Sequence, residues 1–351
     1  MLLVDAHLDL AWGARNLGRD VLTSVPSKRA KEADHGPHGR AMVGYPELVQ
    51  AEAGIILATL YVEPARSRLS AGPVYSTDEE AHLLAIDQLA YYTDLIAREP
   101  HIRLIFSEGQ LTRHLADWSE DRRHVGLILL MEGADPIRTP DEVDFWSERG
   151  LRIVGPAWHA TRYSGGTGEP GPLTSSGRSL LDHMSRQGMI LDVSHMSDES
   201  CAESLDRYDG AIIASHSNCR ALAPGDRQLT DPMIRRLGER DAVIGVAFSD
   251  RQLRGRSGAS DPSRGPVTLD DVVDHIDHLC QVLGDSRHVA LGTDIDGGFG
   301  VERTPHELDS YADMPKLIGV LERRGYEAAQ IEGIFGANLL NKLRQGLLSA
   351  G

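Results

Sequence analysis

The chain is 351 residues long, carries a formal net charge of -16, and is 41% hydrophobic. The acidic balance excludes nucleic acid and anionic membrane surfaces as partners, because both are bound through basic surface, and three cysteines (Cys201, Cys219, Cys280) are too few and too scattered for a disulfide framework or a thiolate zinc site. No apolar run approaches the ~20 residues of a membrane span, the start shows no signal-peptide pattern, and the C-terminal Leu-Leu-Ser-Ala-Gly is too short for a lipid-anchor signal, so the expected location is the cytoplasm.

The opening run Leu2-Leu3-Val4-Asp5-Ala6 predicts a strand over 2–6 that leads into His7-Leu8-Asp9. Side chains two apart on a strand share a face, so His7 and Asp9 can grip one metal ion together. Short apolar runs predict further strands at 54–62, 127–131, 152–157, 189–194, 211–216, 243–248 and 289–294. Gly126-Leu127-Ile128-Leu129-Leu130-Met131 is apolar on both faces, as parallel strands covered on both sides are. Ile102-Arg103-Leu104-Ile105-Phe106 reads as a ninth strand or an extra piece between the second and third. Amphipathic segments predict helices at 78–98, 175–188, 198–207, 231–239, 268–283 and 304–323, with a closing helix at 327–347. The clearest is 268–283, with Leu269, Val272, Val273, Ile276, Leu279, Cys280 and Leu283 on one face. Thr268 is its expected N-cap, with Asp271 three residues on, and Gly284 its terminator. His275 and His278 on this helix are expected to face solvent. Eight strand-helix alternations predict an α/β fold, a (β/α)8 TIM barrel forming a single domain over 1–351; a doubly wound open sheet is the alternative.

Two stretches break the alternation. Residues 23–46, with Lys28, Arg29, Lys31, His35, His38 and Arg40, read as a long polar loop after the first strand. Residues 164–177 are glycine-rich and follow the fourth strand. Loops after barrel strands carry the chemistry, so both are candidates to shape a pocket, against the plainer reading of solvent-exposed connections. The second lacks the Gly-Lys-Ser/Thr ending of a phosphate loop, which argues against nucleotide binding.

Later strands also end in ligand-type residues: Met131-Glu132-Gly133, Val193-Ser194-His195, Ser215-His216-Ser217 and Thr293-Asp294-Ile295-Asp296. In a parallel barrel these ends share one rim, so His7, Asp9, Glu132, His195, His216 and Asp294 would converge over the mouth. Singly, a histidine at a strand end is commonly structural, and an acid there commonly caps the next helix. Asp198 is read as such a cap and Asp296, before Gly297, as a turn residue. Jointly, six ligand-type residues on one rim point to a metal site, and their number points to two ions. Glu132 is the candidate bridge. The lysines (Lys28, Lys31, Lys316, Lys342) end no strand, so a carbamylated lysine bridge of the kind found in many binuclear barrel hydrolases is not expected.

These motifs resemble the renal (membrane) dipeptidases, zinc dipeptidases of peptidase family M19, over nearly the whole chain. The resemblance rests on Val4-Asp5-Ala6-His7-Leu8-Asp9-Leu10, Met131-Glu132-Gly133, Trp158-His159, Leu191-Asp192-Val193-Ser194-His195, Ser215-His216-Ser217, Asp226-Arg227-Gln228-Leu229-Thr230-Asp231 and Gly292-Thr293-Asp294-Ile295-Asp296-Gly297. It implies a barrel of the metal-dependent, amidohydrolase-like type with two zinc ions: His7 and Asp9 on the first, His195 and His216 on the second, Glu132 bridging. Manganese or cobalt would fit the same ligands. Leu8 stands where the family commonly has Asn, Ala11 where it has Pro, and Gln228 where it has Asn; these departures leave every ligand intact and bear on substrate preference.

The activity implied is that of a metallo-dipeptidase acting on dipeptides, including those with a D-residue at the C-terminal position. A hydroxide bridging two ions ~3.5–4 Å apart would attack the peptide carbonyl. His159 would donate to the developing oxyanion, Asp294 would take the hydroxide proton and pass it to the leaving amine, and Arg227 would hold the substrate carboxylate. Asp5 and Asp192 would orient ligands from behind. A homodimer is the assembly the resemblance implies. The rival reading is another metal-dependent amide, lactone, phosphoester or β-lactam hydrolase on the same barrel. A binding protein that keeps the fold without catalysis would predict an incomplete ligand set, and the set is complete. Ser194, Ser215 and Ser217 lack the Gly-x-Ser-x-Gly elbow of a serine hydrolase.

Overall fold

A computed structural model describes residues 1–32, 38–67, 72–259 and 265–347, with backbone only over 256–259. His35 of the first polar loop lies outside the described residues. Eight parallel strands close into a barrel: β1 (Leu3–Leu8), β2 (Ala53–Tyr61), β3 (Val125–Glu132), β4 (Leu151–Gly155), β5 (Ile190–Asp192), β6 (Ile212–Ala214), β7 (Val243–Val246) and β8 (Val289–Leu291). Each pairs with its sequence neighbour, and β8 returns to β1 through Asp5 opposite Leu291. The open-sheet alternative is thereby excluded. Ile102–Leu104 pairs with Val125–Leu127, below the point where β4 begins to pair with β3 at Leu129, so it is an outer strand rather than a stave of the barrel.

Alternation along the strands builds two cores. Ile55 and Leu57, Ile128 and Leu130, Ile153, Ile190, Ile213 and Val243 fill the barrel, and Leu339, Leu343 and Leu347 of the C-terminal segment close its floor. Their neighbours Ile56, Ala58, Leu129, Val154, Leu191 and Ile244 face the surrounding helices. Extending the inner row to the rim of β3 places Glu132 over the mouth. On β1, Val4 and Ala6 belong to the inner cluster, but Leu3 and Leu8 belong to the outer one. The alternation breaks after Ala6, where the register against β2 also shifts, and the break turns His7 toward the mouth. On β7 and β8, a Cβ at Gly245 or Gly292 would lie 2.0 or 1.8 Å from the Ser215 carbonyl oxygen, so bare backbone lets the end of β6 sit inward.

The helices match the sequence expectation where capping is strong. Leu269–Leu283 opens on a reciprocal Thr268–Asp271 capping box and ends at Gly284, φ 86°. His275 is not solvent-facing: it is 1% exposed, takes a hydrogen bond from Cys219 N–H at Nδ1, and bonds the Leu253 carbonyl through Nε2. His278 pairs with Asp231. Asp198 is not the cap of its helix, since the Ser197 hydroxyl accepts the capping hydrogen bond from Ser200 N–H. The expected helix at 304–323 resolves into one 3-10 turn, Tyr311–Asp313, and a helix restricted to Lys316–Arg323, because Pro315 cannot sit in a helix interior. The closing helix is interrupted by a π turn at Gly333–Ala337. Helices Glu108–Glu120 and Val143–Glu148 were not foreseen.

The described parts of both unusual stretches are structured. The first polar loop contains a helical turn, Val25–Arg29, and runs into a helix, Tyr45–Gln50. Lys28 is buried with its ammonium on the Val43 carbonyl. Asp296 is more than a turn residue: its carboxylate accepts from Met42 N–H and Val43 N–H and pairs with Arg19, tying this loop to the end of β8. The glycine-rich stretch is a β-hairpin, Ser164–Gly166 against Glu169–Leu173, that lies across the ends of β4 and β5. A Cβ at Gly166 would fall 2.4 Å from the His159 carbonyl oxygen, which explains the glycine there. Among the described residues, no helix is long and apolar enough to cross a membrane.

Candidate metal centre and its cavity

Glu132 ends β3 at the centre of the mouth and is 5% exposed. Its Oε1 lies 3.1 Å from His195 Nε2 and 3.2 Å from His216 Nε2, and its Oε2 lies 3.6 Å from His7 Nε2. His7 Nε2 is also 3.7 Å from Asp9 Oδ1. One carboxylate therefore turns one oxygen to a histidine pair and the other to the His7–Asp9 pair. Potential ligand atoms of His7, Glu132 and His216, and again of His7, Asp9 and Asp294, lie within 4.8 Å of one another. The six residues expected at the rim are together.

Backbone geometry at these strand ends is unusual. His195, Asp294 and Asp296 have φ of 67°, 58° and 67°, a region that non-glycine residues seldom occupy, and Gly133 follows Glu132 at 77°. Two buried aspartates hold this geometry in the same way. Asp5 Oδ1 accepts from His7 N–H and Thr293 N–H, and its Oδ2 from the Thr293 and Tyr311 hydroxyls. Asp192 Oδ1 accepts from Ser194 N–H and Ser215 N–H, and its Oδ2 from the Ser215 hydroxyl. Each clamps its own strand to a neighbour immediately beside a ligand-type histidine. They grip backbone rather than imidazole, a refinement of the orienting role expected from sequence.

The rings are oriented by hydroxyls. Ser215 Oγ, donating to Asp192, lies 2.8 Å from His216 Nδ1 and 3.4 Å from His7 Nδ1. Thr167 Oγ1 lies 3.0 Å from His195 Nδ1. The Thr59 hydroxyl donates to Asp9 Oδ1. With Nδ1 engaged, each Nε2 is left to face Glu132.

The charge balance of these side chains fits a cation. His7 Nε2 is buried with no hydrogen-bond partner. Burial opposes charge on His7, but Glu132 above all, then Asp9 and Asp294, raise its pKa to about 10. Burial lifts Asp9 to about 6 and pushes Asp294 well above the usual carboxylate range. Burial, then Arg227, lowers His195 to about 4, and burial and His7 hold His216 well below its ordinary value. Burial also works against charge on Glu132, yet His7 and the two neighbouring imidazoles hold it ionised. Two neutral imidazoles and an unpaired third nitrogen around carboxylates are the donor set a divalent ion takes.

The mouth opens into a cavity of about 760 Å³. Trp12, Tyr61 and Trp158 form one wall, with ring centroids 6.3 and 5.0 Å apart in sequence. Arg227 and His159 also line it. Arg227 donates to the Ser217 hydroxyl and the His216 carbonyl, and its buried Nε–H has no partner. His159 bonds the Thr167 carbonyl at 2.5 Å through Nδ1. Leu8 is fully buried in the outer core, and both ends of the Gln228 amide are spent inside the protein, on Asn218 N–H and the Gln252 carbonyl. Sequence reasoning missed the hydroxyl partners Thr59, Thr167 and Tyr311 and the wall residues Trp12 and Tyr61. Only strand periodicity on β2, which puts Thr59 and Tyr61 on the inner row, could have signalled any of them.

The family model described as membrane dipeptidase, peptidase family M19, matches residues 1–348. A Klebsiella pneumoniae protein described only as an uncharacterized protein in the pqqA 5' region is 32% identical over 73% of this chain and 94% of its own length. The dipeptidase aclJ of Aspergillus oryzae is 26% identical over 97% of this chain and 77% of its own. Among solved structures, a Rhodobacter sphaeroides metallopeptidase liganded with a phosphinate mimic of the dipeptide L-Ala-D-Ala has the same fold, with a TM-score of 0.80 at 22% identity over 99% of each chain.

Proposed function

The chain belongs to the membrane dipeptidase family, peptidase family M19, and is a metal-dependent dipeptidase; within that assignment we propose that its mouth holds two zinc ions and cleaves a dipeptide anchored by its free carboxylate. His7 and Asp9 would hold one ion, His195 and His216 the other, and Glu132 would bridge. The observation that carries this reading is Glu132 itself, with one oxygen facing two imidazoles and the other facing the partnerless Nε2 of His7. When bound, such a pair of ions supplies Lewis acidity and a nucleophilic hydroxide at neutral pH.

The chain's own groups do the rest. Arg227, fixed against the end of β6, offers its unpaired Nε–H and remaining Nη hydrogens to the substrate carboxylate. This sets the scissile carbonyl over Glu132 and favours dipeptides over longer chains. Asp294 takes a proton on its carboxylate and returns it to the leaving amine. His159 stabilises the oxyanion, with a condition set by geometry. Its Nδ1–H is committed to the Thr167 carbonyl, so Nε2 donates only when the ring carries both protons.

A D-residue at the C-terminal position is part of the proposal, supported by the ligand of the Rhodobacter sphaeroides neighbour and by the room in the cavity. A cytoplasmic location is supported by three unpaired cysteines, and the homodimer rests on the resemblance. Metal analysis of purified protein, with hydrolysis assays on L,L- and L,D-dipeptides, lactones and β-lactams, tests the reading. About two zinc ions per chain and chelator-sensitive dipeptide cleavage are expected. Metal-free protein with full dipeptidase activity, or turnover of the lactones alone, would overturn it.

A further inference from the structure

The tip of the hairpin after β4 touches three functional groups through two adjacent residues. Thr167 Oγ1 lies 3.0 Å from His195 Nδ1 and 3.4 Å from the His195 carbonyl oxygen. With its proton on that carbonyl, which can only accept, the hydroxyl oxygen accepts from His195 Nδ1–H. In that arrangement His195 Nε2 carries its lone pair, 3.1 Å from both Glu132 Oε1 and His216 Nε2. The Thr167 carbonyl accepts the Nδ1–H of His159 at 2.5 Å. Gly168 N–H donates to Asp226 Oδ2 at 2.7 Å, beside Arg227.

The tip is itself rigidly held. Thr167 N–H bonds the Trp158 carbonyl, Ser197 N–H bonds the Gly165 carbonyl, and Glu169 at the start of the return strand pairs with Arg66 and accepts from Ala160 N–H. Gly168 has φ 73°, which lets the chain turn between the Thr167 and Gly168 contacts.

We propose that Thr167 is a positioning residue of the metal centre: its hydroxyl sets His195 for the ion, while its carbonyl aims His159 at the substrate from the same residue. The proposal rests on His195 being a metal ligand. Removing the hydroxyl should weaken the ion without disturbing the substrate side, because the carbonyl survives every side-chain substitution. Outer-shell partners of this kind are worth about 10–100-fold in metal affinity.

The test is zinc affinity, measured by competition with a chromophoric chelator, for wild type, Thr167→Val, Thr167→Ser and His195→Ala. Thr167→Val should weaken the less tightly held ion about 10–100-fold, while Thr167→Ser stays close to wild type. Should the valine not fold, Thr167→Ala is the smaller hydroxyl deletion, and the serine comparison reads the same oxygen. Unchanged zinc affinity in the valine variant, with affinity lost in His195→Ala, would overturn the proposal and leave the metal-site reading standing. Unchanged affinity in His195→Ala would overturn the reading itself. Equal loss in the serine and valine variants would also overturn the proposal, since the hydroxyl would not be the cause.

Discussion

The Asp5 clamp gives a prediction whose size follows from its hydrogen bonds. The carboxylate is wholly buried and accepts from His7 N–H, Thr293 N–H, Thr293 Oγ–H and Tyr311 O–H. In Asp5→Ala the two hydroxyls can turn elsewhere, but the two backbone donors cannot. A buried donor left without an acceptor costs about 1–3 kcal/mol, so the pair costs about 2–6 kcal/mol. The substitution also removes a carboxylate whose pKa burial raises, and escape from that desolvation offsets part of the loss. The net expectation is about 2–4 kcal/mol, a large share of the ~5–15 kcal/mol that holds a folded protein together. Asp5→Asn keeps one oxygen for the two N–H groups and presents its NH2 to hydroxyls able to accept, so it should cost about 1 kcal/mol. Urea unfolding followed by circular dichroism, run on metal-free protein so that zinc binding does not contribute, measures both. Asp5→Ala within 1 kcal/mol of wild type, or Asp5→Asn as costly as Asp5→Ala, would refute the clamp.

Three further outcomes follow from the mouth. A Cβ at Gly297 would sit 1.9 Å from Asp294 Oδ1, so Gly297→Ala should displace that carboxylate and lower kcat on the order of 100-fold with zinc content unchanged; undiminished turnover would show that the carboxylate position is not critical. Asp294→Asn should retain its metal, as atomic absorption would read, and lose about 10²–10⁴-fold in turnover, whereas full activity would remove the proton-transfer role. Arg227→Ala should cost about 2 kcal/mol or more of substrate binding, roughly 30-fold in KM, with kcat changed far less; the reverse split would contradict the carboxylate anchor.

Much of this was legible in the sequence because barrel topology turns a local feature into a spatial one. Once eight strand ends are known to share a rim, the positions of His7, Glu132, His195, His216 and Asp294 imply proximity across nearly the whole chain. The helix Leu269–Leu283 was readable from its caps. His275 was misread although the signal was present: it lies three residues after Val272 and four before Leu279, on the apolar face. Glu108–Glu120 escaped notice because its buried residues are Leu111, His114 and Trp118, a short and partly polar stripe. The roles of the hydroxyl partners were illegible for a different reason, even where strand periodicity puts Thr59 on the inner row. Thr59, Thr167 and Ser215 are ordinary polar residues in sequence, and what makes them matter is which imidazole or carboxylate the fold brings opposite them. Thr167 reaches His195 only because a hairpin folds back over the mouth.

Anomalous diffraction from zinc-loaded crystals would show whether Glu132 joins two ions. Two peaks are expected over the barrel mouth, one against His7 and Asp9 and one against His195 and His216, each in contact with a different oxygen of Glu132. A single peak away from Glu132, or none at saturating zinc, would contradict it.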